Sequence, residues 1–418
     1  MILPHSVTVI LRTLNEHGYE AYAVGGCVRD SLLGRKAGDW DITTSAAPAA
    51  VKSLFPRTID TGIAHGTVTV MMDHEGFEVT TYRVDGEYRD GRHPESVSFT
   101  ASLEEDLKRR DFTINAMAYH PETGIVDLFE GQKDLQRRVI RCVGDPKQRF
   151  TEDALRMMRA LRFRAQLDFS IEPETAAAVK ELAPRLELVS HERIQAELMK
   201  LLLSDHPECL LDVRTLGMAP WVLSSFDCLP DEEREEAARI LPALEKKKYL
   251  RLAALFCGKC ASIVWDNQED DEVCDWKSAK TLRDALRDLR LDNETIDQAV
   301  LLITWHLVKP EADPYLVRRL LNRLGSRHLE ELLQIQELRT GASFNSVRAL
   351  AGQVLERRDC LGLKQLAVNG SDLVREGLAS GKQIGELLAK LLDLVLRDPS
   401  CNEREYLMKK SAEYAARH

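Results

Sequence analysis

An α+β head followed by an all-helical remainder is the fold that this sequence predicts, on three observations. Up to about Phe99, short runs of β-branched and aromatic residues interleave with brief amphipathic helices. From Thr67 to Met72 and from Phe77 to Arg83 the alternation suits a hairpin, with Asp73 to Gly76 as its turn. After Asp145 the spacing becomes almost wholly helical, with Leu- and Ala-rich stretches carrying Lys, Arg and Glu on the alternate faces.

In chain order, residues 1–18 read as a short amphipathic helix stopped at Gly18. They lack the basic segment and small-residue cleavage site of a secretory leader. An extended stretch, YEAYAV, leads into the Gly25-Gly26 turn; a second helix runs through Leu33, and Trp40 to Thr43 is extended. The hairpin completes a mixed sheet, and the head extends to about Asp145. Beyond it, Thr151 to Phe163 reads as one helix with Thr151 as its N-cap. Punctuation near Gly217, Pro230, Pro310 and Gly341 divides the remaining helices into successive bundles, with no competing strand pattern. The acidic segment Asp266 to Asp275 reads as a solvated loop.

The chain has 418 residues, too many for one core. Its 44% hydrophobic and 30% charged residues exclude wholesale disorder. A formal net charge of -10 argues against an indiscriminate polyanion binder. The charge is uneven, however: from Lys133 through Arg164 there are ten basic residues and four acidic ones. No run approaches the roughly 18 to 20 apolar residues that cross a bilayer, so a soluble, cytoplasmic protein is expected. Nine cysteines, an odd number, suit reduced thiols better than a disulfide framework. Cys257 and Cys260 form a C-x-x-C with Cys274 downstream, but no second ligand pair of zinc-site spacing accompanies them.

The most informative stretch is Gly25-Gly26-Cys27-Val28-Arg29-Asp30, followed by Gly38-Asp39-Trp40-Asp41-Ile42. Two glycines after a strand let backbone approach a phosphate, and the N–H groups of the next helix point at it. Arg29 adds a fixed cation. Asp39 and Asp41, two apart in an extended segment, put both carboxylates on one face. Such a pair repels itself in a dry site, and a divalent cation, Mg²⁺ by its preference for oxygen ligands, removes the conflict. Read alone, a D-x-D pair could equally be solvated; the preceding glycine turn favours the metal. Glu78 is a candidate third carboxylate.

In Lys108-Arg109-Arg110-Asp111-Phe112-Thr113-Ile114-Asn115, the basic pair leads directly into an apolar run. A guanidinium held there could fork onto a triphosphate, while Asp111 and Asn115 offer an acceptor and an amide to sugar hydroxyls. Farther on, Asp153, Arg156, Arg159 and Arg162 recur every three residues as a polar stripe. Cytosine and adenine each present an amine donor beside a ring-nitrogen acceptor, and a carboxylate beside a guanidinium complements that pattern. Uracil and guanine would leave groups unpaired. The same residues could instead form an ordinary i,i+3 ion pair on a solvated helix.

GGCVRD, LLG, DWD, EVTTYR, RRDFTINAMAY and EDALRMMRALRF, in that order, make the sequence resemble the class II tRNA nucleotidyltransferases, a group shared by bacterial CCA-adding enzymes and poly(A) polymerases. Further matches are the loop Tyr88 to Pro94, the helix Glu192 to Leu198 and the segment Leu366 to Leu373. The resemblance implies a polymerase-β-like catalytic head at 1–145, a helical neck with the nucleotide-recognition helix at 146–215, a helical body at 216–330 and a tRNA-binding helical tail at 331–418.

It also implies that Asp39 and Asp41 bind two Mg²⁺ ions and that Glu78 supports them. Gly26, Arg29 and Arg110 would contact the triphosphate of ATP or CTP, with Asp111 and Asn115 beside it. Asp153 and Arg156 would read the base, Arg159 and Arg162 would complete the pocket, and the helical parts would grip the tRNA acceptor arm. The Asp90 to Pro94 loop disfavours a CC-only enzyme, and the lack of basic extensions disfavours a poly(A) polymerase. Full CCA addition is therefore expected, with an A-adding specialist completing tRNA-CC ends, or a poly(A) polymerase, as the alternative. A non-catalytic nucleotide or RNA sensor would be expected to have lost a metal carboxylate, and both are present. A phosphohydrolase would need a His-Asp cluster, whereas His191, His306 and His328 are scattered.

Overall fold

The structure, a computed structural model, describes residues 1–86, 97–223, 231–257, 276–306 and 308–416. The Tyr88 to Pro94 loop, the acidic segment Asp266 to Asp275, Pro230, Cys260 and Cys274 lie outside them. The chain forms two compact units, Met1–Ala238 with Asp288–Arg290, and Arg239–Arg287 with Leu291–His418. Among the described residues no helix is long and apolar enough to cross a membrane. The six described cysteines are free thiols.

In the first unit, α1 (His5–Glu16) buries Val7, Ile10, Leu11 and Leu14, one stripe at helical spacing. The chain turns at Gly18 with φ +82°. Next come β1 (Ala21–Val24), α2 (Gly26–Leu32), β2 (Asp41–Thr44), α3 (Pro48–Leu54), β3 (Thr58–Gly62), β4 (Thr67–Met72) and β5 (Glu75–Thr81). The hairpin is tighter than expected: Met72 already pairs with Glu75, because Asp73 and His74 both take positive φ. After β6 (Arg83–Asp85), β7 (Val97–Phe99) and α4 (Leu103–Lys108), β8 (Met117–His120) and β9 (Gly124–Asp127) close the sheet.

The strand order in the seven-stranded sheet is β3-β4-β5-β2-β1-β8-β9. Its one parallel pair, β2 with β5, sets Ile42 opposite Val79. On one face Ile42, Val68, Val70, Phe77 and Val79 pack with the α1 stripe and Val51 of α3. Each such fully buried side chain stabilises the fold by about 1.5–3 kcal/mol. Strand alternation sends Asp41 and Thr43 to the opposite face.

That face is tied down by Asp106 of α4, whose N-cap Ser102 accepts a hydrogen bond from the Glu105 N–H. The Asp106 carboxylate is completely buried. It accepts from the Thr43 hydroxyl at 3.0 Å, from Arg109 Nη2 at 2.8 Å and from Arg110 Nη2 at 3.3 Å. One acid therefore joins the central strand to the arginine-bearing turn after α4.

α5 (Gly131–Arg137) and β10 (Val139–Ile140) lead out of the head. α6 (Pro146–Glu152) starts with Pro146 behind the N-cap Asp145. The single helix expected from Thr151 to Phe163 is two helices. α6 ends at Glu152, Asp153 is extended at φ −142° and ψ 104°, and α7 (Leu155–Leu167) begins afterwards. Thr151 is thus inside α6 and is not an N-cap; the Asp153 carboxylate accepts from the Leu155 N–H instead. A second departure is β11 (Ser170–Ile171), which pairs in parallel with β10 although no strand was expected after Asp145. Its two residues are too few to show a period. α8 (Pro173–Leu182) and α9 (His191–Leu202) pack on α6 and α7, respectively.

In the second unit, Lys248–Phe256 packs against Asn293–Trp305. The long helix Pro314–Thr340 is interrupted at Gly325, with φ +71° and ψ 169°, and ends at left-handed Gly341. Asn369 caps Gly370–Arg375 in a reciprocal box with Asp372, and Arg404 donates to that carboxylate at 2.6 Å. Leu373, Leu387, Leu391, Val395 and Leu407 form the core here.

The surroundings of Asp106 give a pH-dependent stability. Burial alone would raise its pKa, but Arg110, Arg109 and the bonds from Arg109 and Thr43 outweigh it and hold the carboxyl below its ordinary value. A depressed folded pKa contributes stability above the unfolded value near 3.9, and that stability is lost as pH falls through the folded value. Asp106→Ala should cost about 3 kcal/mol at pH 7, because it removes the buried acid to which both guanidiniums bond. The gap from wild type, read by urea unfolding, should shrink below about pH 4; a gap independent of pH would contradict the assignment.

Candidate active site

A cleft of ≈ 600 Å³ opens where the carboxylate face of the sheet meets α7. Gly26, Arg29, Asp39, Asp41, Arg110, Asp111, Asn115, Asp153, Arg156, Arg159 and Arg162 all line it. Residues more than a hundred positions apart in sequence are thus brought together as the sequence suggested. Glu78 is not part of the lining: its side chain is exposed on β5, one residue before buried Val79, which faces Ile42, and so on the sheet face opposite that core residue.

The glycine turn supplies the floor. Gly25 has φ +82°, and a Cβ there would lie 3.2 Å from Arg110 Nη1, so this position requires glycine. Gly26 opens α2 with ordinary room for a Cβ. The conformational constraint therefore falls on Gly25, one residue before the glycine singled out from sequence.

Asp39 and Asp41 share the cleft while Trp40 between them packs into the core beneath the sheet. Among the described residues neither carboxylate has a hydrogen-bond or ion-pair partner. Burial pushes the Asp41 carboxyl above its ordinary value, Arg110 opposes this and Asp39 adds to it. Partial burial, and then Asp41 and Asp39, also raise Glu78. Among the described residues there is no group of three or more side chains spaced to hold a metal. The donor set is two hard-oxygen carboxylates with unrelieved repulsion, beside a space lined by cations. That set fits Mg²⁺, which takes one or two protein carboxylates and completes its shell from substrate phosphate and water.

Across the cleft, a chain of hydrogen bonds orients the cations. Arg29 is bidentate on Asp30 and donates to Asn115 Oδ1 at 2.6 Å. Asn115 donates to Asp111 Oδ1 at 3.1 Å, and Arg159 Nε donates to Asp111 Oδ2 at 2.8 Å. Burial would raise Asp111, but Arg159 and the Asn115 bond hold it far below the usual carboxylate range. Asp111 and Asn115, expected to offer groups to sugar hydroxyls, are here engaged in setting the arginines. Arg162 is held by Glu197 of α9 at 2.5 Å.

The two expected base readers are also held, but not by each other. Asp153 Oδ2 accepts from Arg193 at 2.8 Å, while Arg156 donates to Glu152 at 2.7 Å and to the carbonyls of Arg109 and Arg149. An i,i+3 pair on a solvated helix is therefore not what forms. Asp153 stands at the α6–α7 joint with its carboxylate free of the helical register. Arg193 and Glu197 were missed as site residues because their contribution arises only when α9 packs on α7, and Phe163 because its arginines gather over it only in the fold. The sole sequence signal was the basic residue within the Glu192 to Leu198 match.

Comparison with known proteins agrees with this geometry. A family profile described as "Poly A polymerase head domain" matches residues 21–141. One described as "Probable RNA and SrmB- binding site of polymerase A" matches 168–227, and domain 2 of tRNA nucleotidyltransferase matches 273–410. The CCA-adding enzyme of Leuconostoc mesenteroides is 38% identical over 411 residues, covering 97% of this chain and 95% of its own. That of Geobacillus kaustophilus is 38% identical over 403 residues, covering 95% and 92%. The crystal structure of the Bacillus stearothermophilus CCA-adding enzyme in complex with CTP superimposes with a TM-score of 0.80 at 33% identity over 100% of both chains. The Thermotoga maritima CCA-adding enzyme complexed with tRNA shares the fold, with a TM-score of 0.65 at 22% identity over 99% and 96%. With the carboxylate pair, the arginine wall and full-length likeness all in agreement, the chain belongs to the CCA-adding enzyme family of tRNA nucleotidyltransferases.

Proposed function

We propose that this protein adds CCA to the 3′ end of tRNA without a nucleic-acid template, using CTP and ATP and releasing pyrophosphate. The observation that carries this reading is that an unpartnered carboxylate pair and the Asp153/Arg156 pair face one cleft. Asp39 and Asp41 would hold two magnesium ions, with Glu78 in support from the neighbouring strand. Bound magnesium supplies Lewis-acid charge neutralisation where the RNA 3′-hydroxyl displaces pyrophosphate from the α-phosphate. Arg29, Arg110 and Arg159 bind the triphosphate through guanidinium N–H groups not consumed by their carboxylate partners. Arg162 and the Asp111–Asn115 bridge keep that wall in place.

Asp153 accepts from the exocyclic amine of cytosine or adenine, and Arg156 donates to the adjacent ring acceptor. Arg193 and Glu152 position these two readers. Residues 1–145 and 146–215 together form the nucleotide machinery, and the body at 216–330 and tail at 331–418 grip the tRNA acceptor arm. A cytoplasmic location, with tRNA and nucleotides at hand, accompanies this reading.

Incubation with Mg²⁺, CTP and ATP and three tRNAs, ending before CCA, after C or after CC, tests the activity by sequencing of the products. All three should finish at CCA. Extension of only the third, by A, would identify an A-adding specialist, and homopolymer tails on unrelated RNA a poly(A) polymerase.

Asp39→Ala or Asp41→Ala should abolish incorporation while circular dichroism stays unchanged; near-normal turnover would refute the metal assignment. Asp153→Ala or Arg156→Ala should relax selection against UTP and GTP by roughly 10- to 100-fold in kcat/KM, the worth of one unmade buried bond of about 1–3 kcal/mol. Unchanged selectivity would remove base reading from this pair.

A further inference from the structure

Phe163 is nearly inaccessible, at 4% exposure, yet it lines the cleft. Three guanidiniums sit over that ring, Arg162 at 3.9 Å from its centroid, Arg29 at 4.9 Å and Arg159 at 5.5 Å. They come from α2 and α7 and repel one another where partial burial weakens solvent screening. Each has a carboxylate partner on its outer side, Asp30, Asp111 or Glu197, whereas Phe163 is the one group that all three share. The ring is fixed in turn by an edge contact with fully buried Phe112, 5.9 Å away and inclined 84°.

A ring and a carboxylate hold a guanidinium differently. A carboxylate consumes N–H donors and cancels charge, while an aromatic face attracts the cation through its quadrupole and leaves the in-plane N–H groups unoccupied. A phosphate needs those in-plane donors. Burial pushes the Arg162 guanidinium below its ordinary pKa and neighbouring Arg159 adds to this, with Glu197 opposing. Like-charge crowding is thus already present before any anion binds.

We infer that Phe163 is a positioning residue for the nucleotide triphosphate, its ring gathering Arg29, Arg159 and Arg162 into one preassembled anion-binding wall without taking up the N–H donors that their polar partners leave over. This rests on reading the cleft as the nucleotide site. Among the described residues the cations over the ring are Arg29, Arg159 and Arg162 and do not include Arg156, so Phe163 acts on CTP and ATP alike. Preassembly lowers the cost of binding in both cases.

The test is a series in which Phe163 is replaced by 4-fluoro-, 3,5-difluoro- and 3,4,5-trifluorophenylalanine, which weakens the quadrupole stepwise at nearly constant shape. The KM values for CTP and for ATP should climb together with each fluorine, reaching on the order of three- to tenfold at the end of the series. These increases should exceed any fall in kcat, leave the CTP-to-UTP selectivity ratio unchanged and leave Tm level. Phe163→Leu should resemble the end of the series if it folds. Flat KM values across the fluorinated series in an active enzyme would overturn the role of Phe163 alone. A selectivity change without a KM trend would do the same. A wild-type protein that binds neither nucleotide would overturn the reading of the cleft and this inference with it.

Discussion

Seven arginines and five aspartates crowd one cleft of ≈ 600 Å³, and the site keeps its shape because each guanidinium is tied on one side. The central tie is the Asp111 carboxylate, which receives Arg159 from α7 and, through Asn115, steadies Arg29 of α2. Charge-assisted bonds of this kind are strong when buried, and removing either partner leaves the other stranded. α2 and α7 are thereby linked through one acid, and Asp106 does the equivalent for the central strand and the turn after α4. The two carboxylates left without such partners are Asp39 and Asp41. A rigid cationic wall therefore faces an unsatisfied anionic pair across a gap.

The sequence made the strand and helix inventory legible wherever a period ran long enough, as in α1 and in the β4–β5 hairpin. Every residue that was read as nucleotide-binding lies on the cleft, since D-x-D spacing and a glycine turn carry their geometry locally. What stayed hidden depended on packing at a distance. Helical periodicity across Glu152, Asp153 and Ala154 is unbroken in sequence, so the joint at Asp153 was invisible. It exists because the Asp153 carboxylate captures the Leu155 N–H and Arg193. Phe163 looked like one more apolar residue on a helix face until three arginines closed over it.

The basic stretch from Lys133 to Arg164 also changes meaning in three dimensions. Nine of its ten cations lie within ion-pair distance of a carboxylate, in several cases one supplied by another element, such as Asp111, Asp168, Glu181, Glu197 or Asp212. The local excess of positive charge is matched mainly by acids within residues 146–215, with Arg138–Asp168 and Arg159–Asp111 joining that segment to the residues before it. RNA thus meets few uncommitted cations along this stretch, which favours recognition by shape over general attraction to phosphate and a shallow dependence on salt.

The break between α6 and α7 has a further consequence. A residue inside a helix inherits its direction from the whole rod, so re-aiming it means rotating everything attached. Asp153 inherits its direction from two local bonds at a joint. Its aim answers to the Leu155 N–H and to Arg193 of α9, and not to the register of the arginines farther along α7. The direction of this carboxylate is thus set apart from the rod that carries Arg156, Arg159 and Arg162 together.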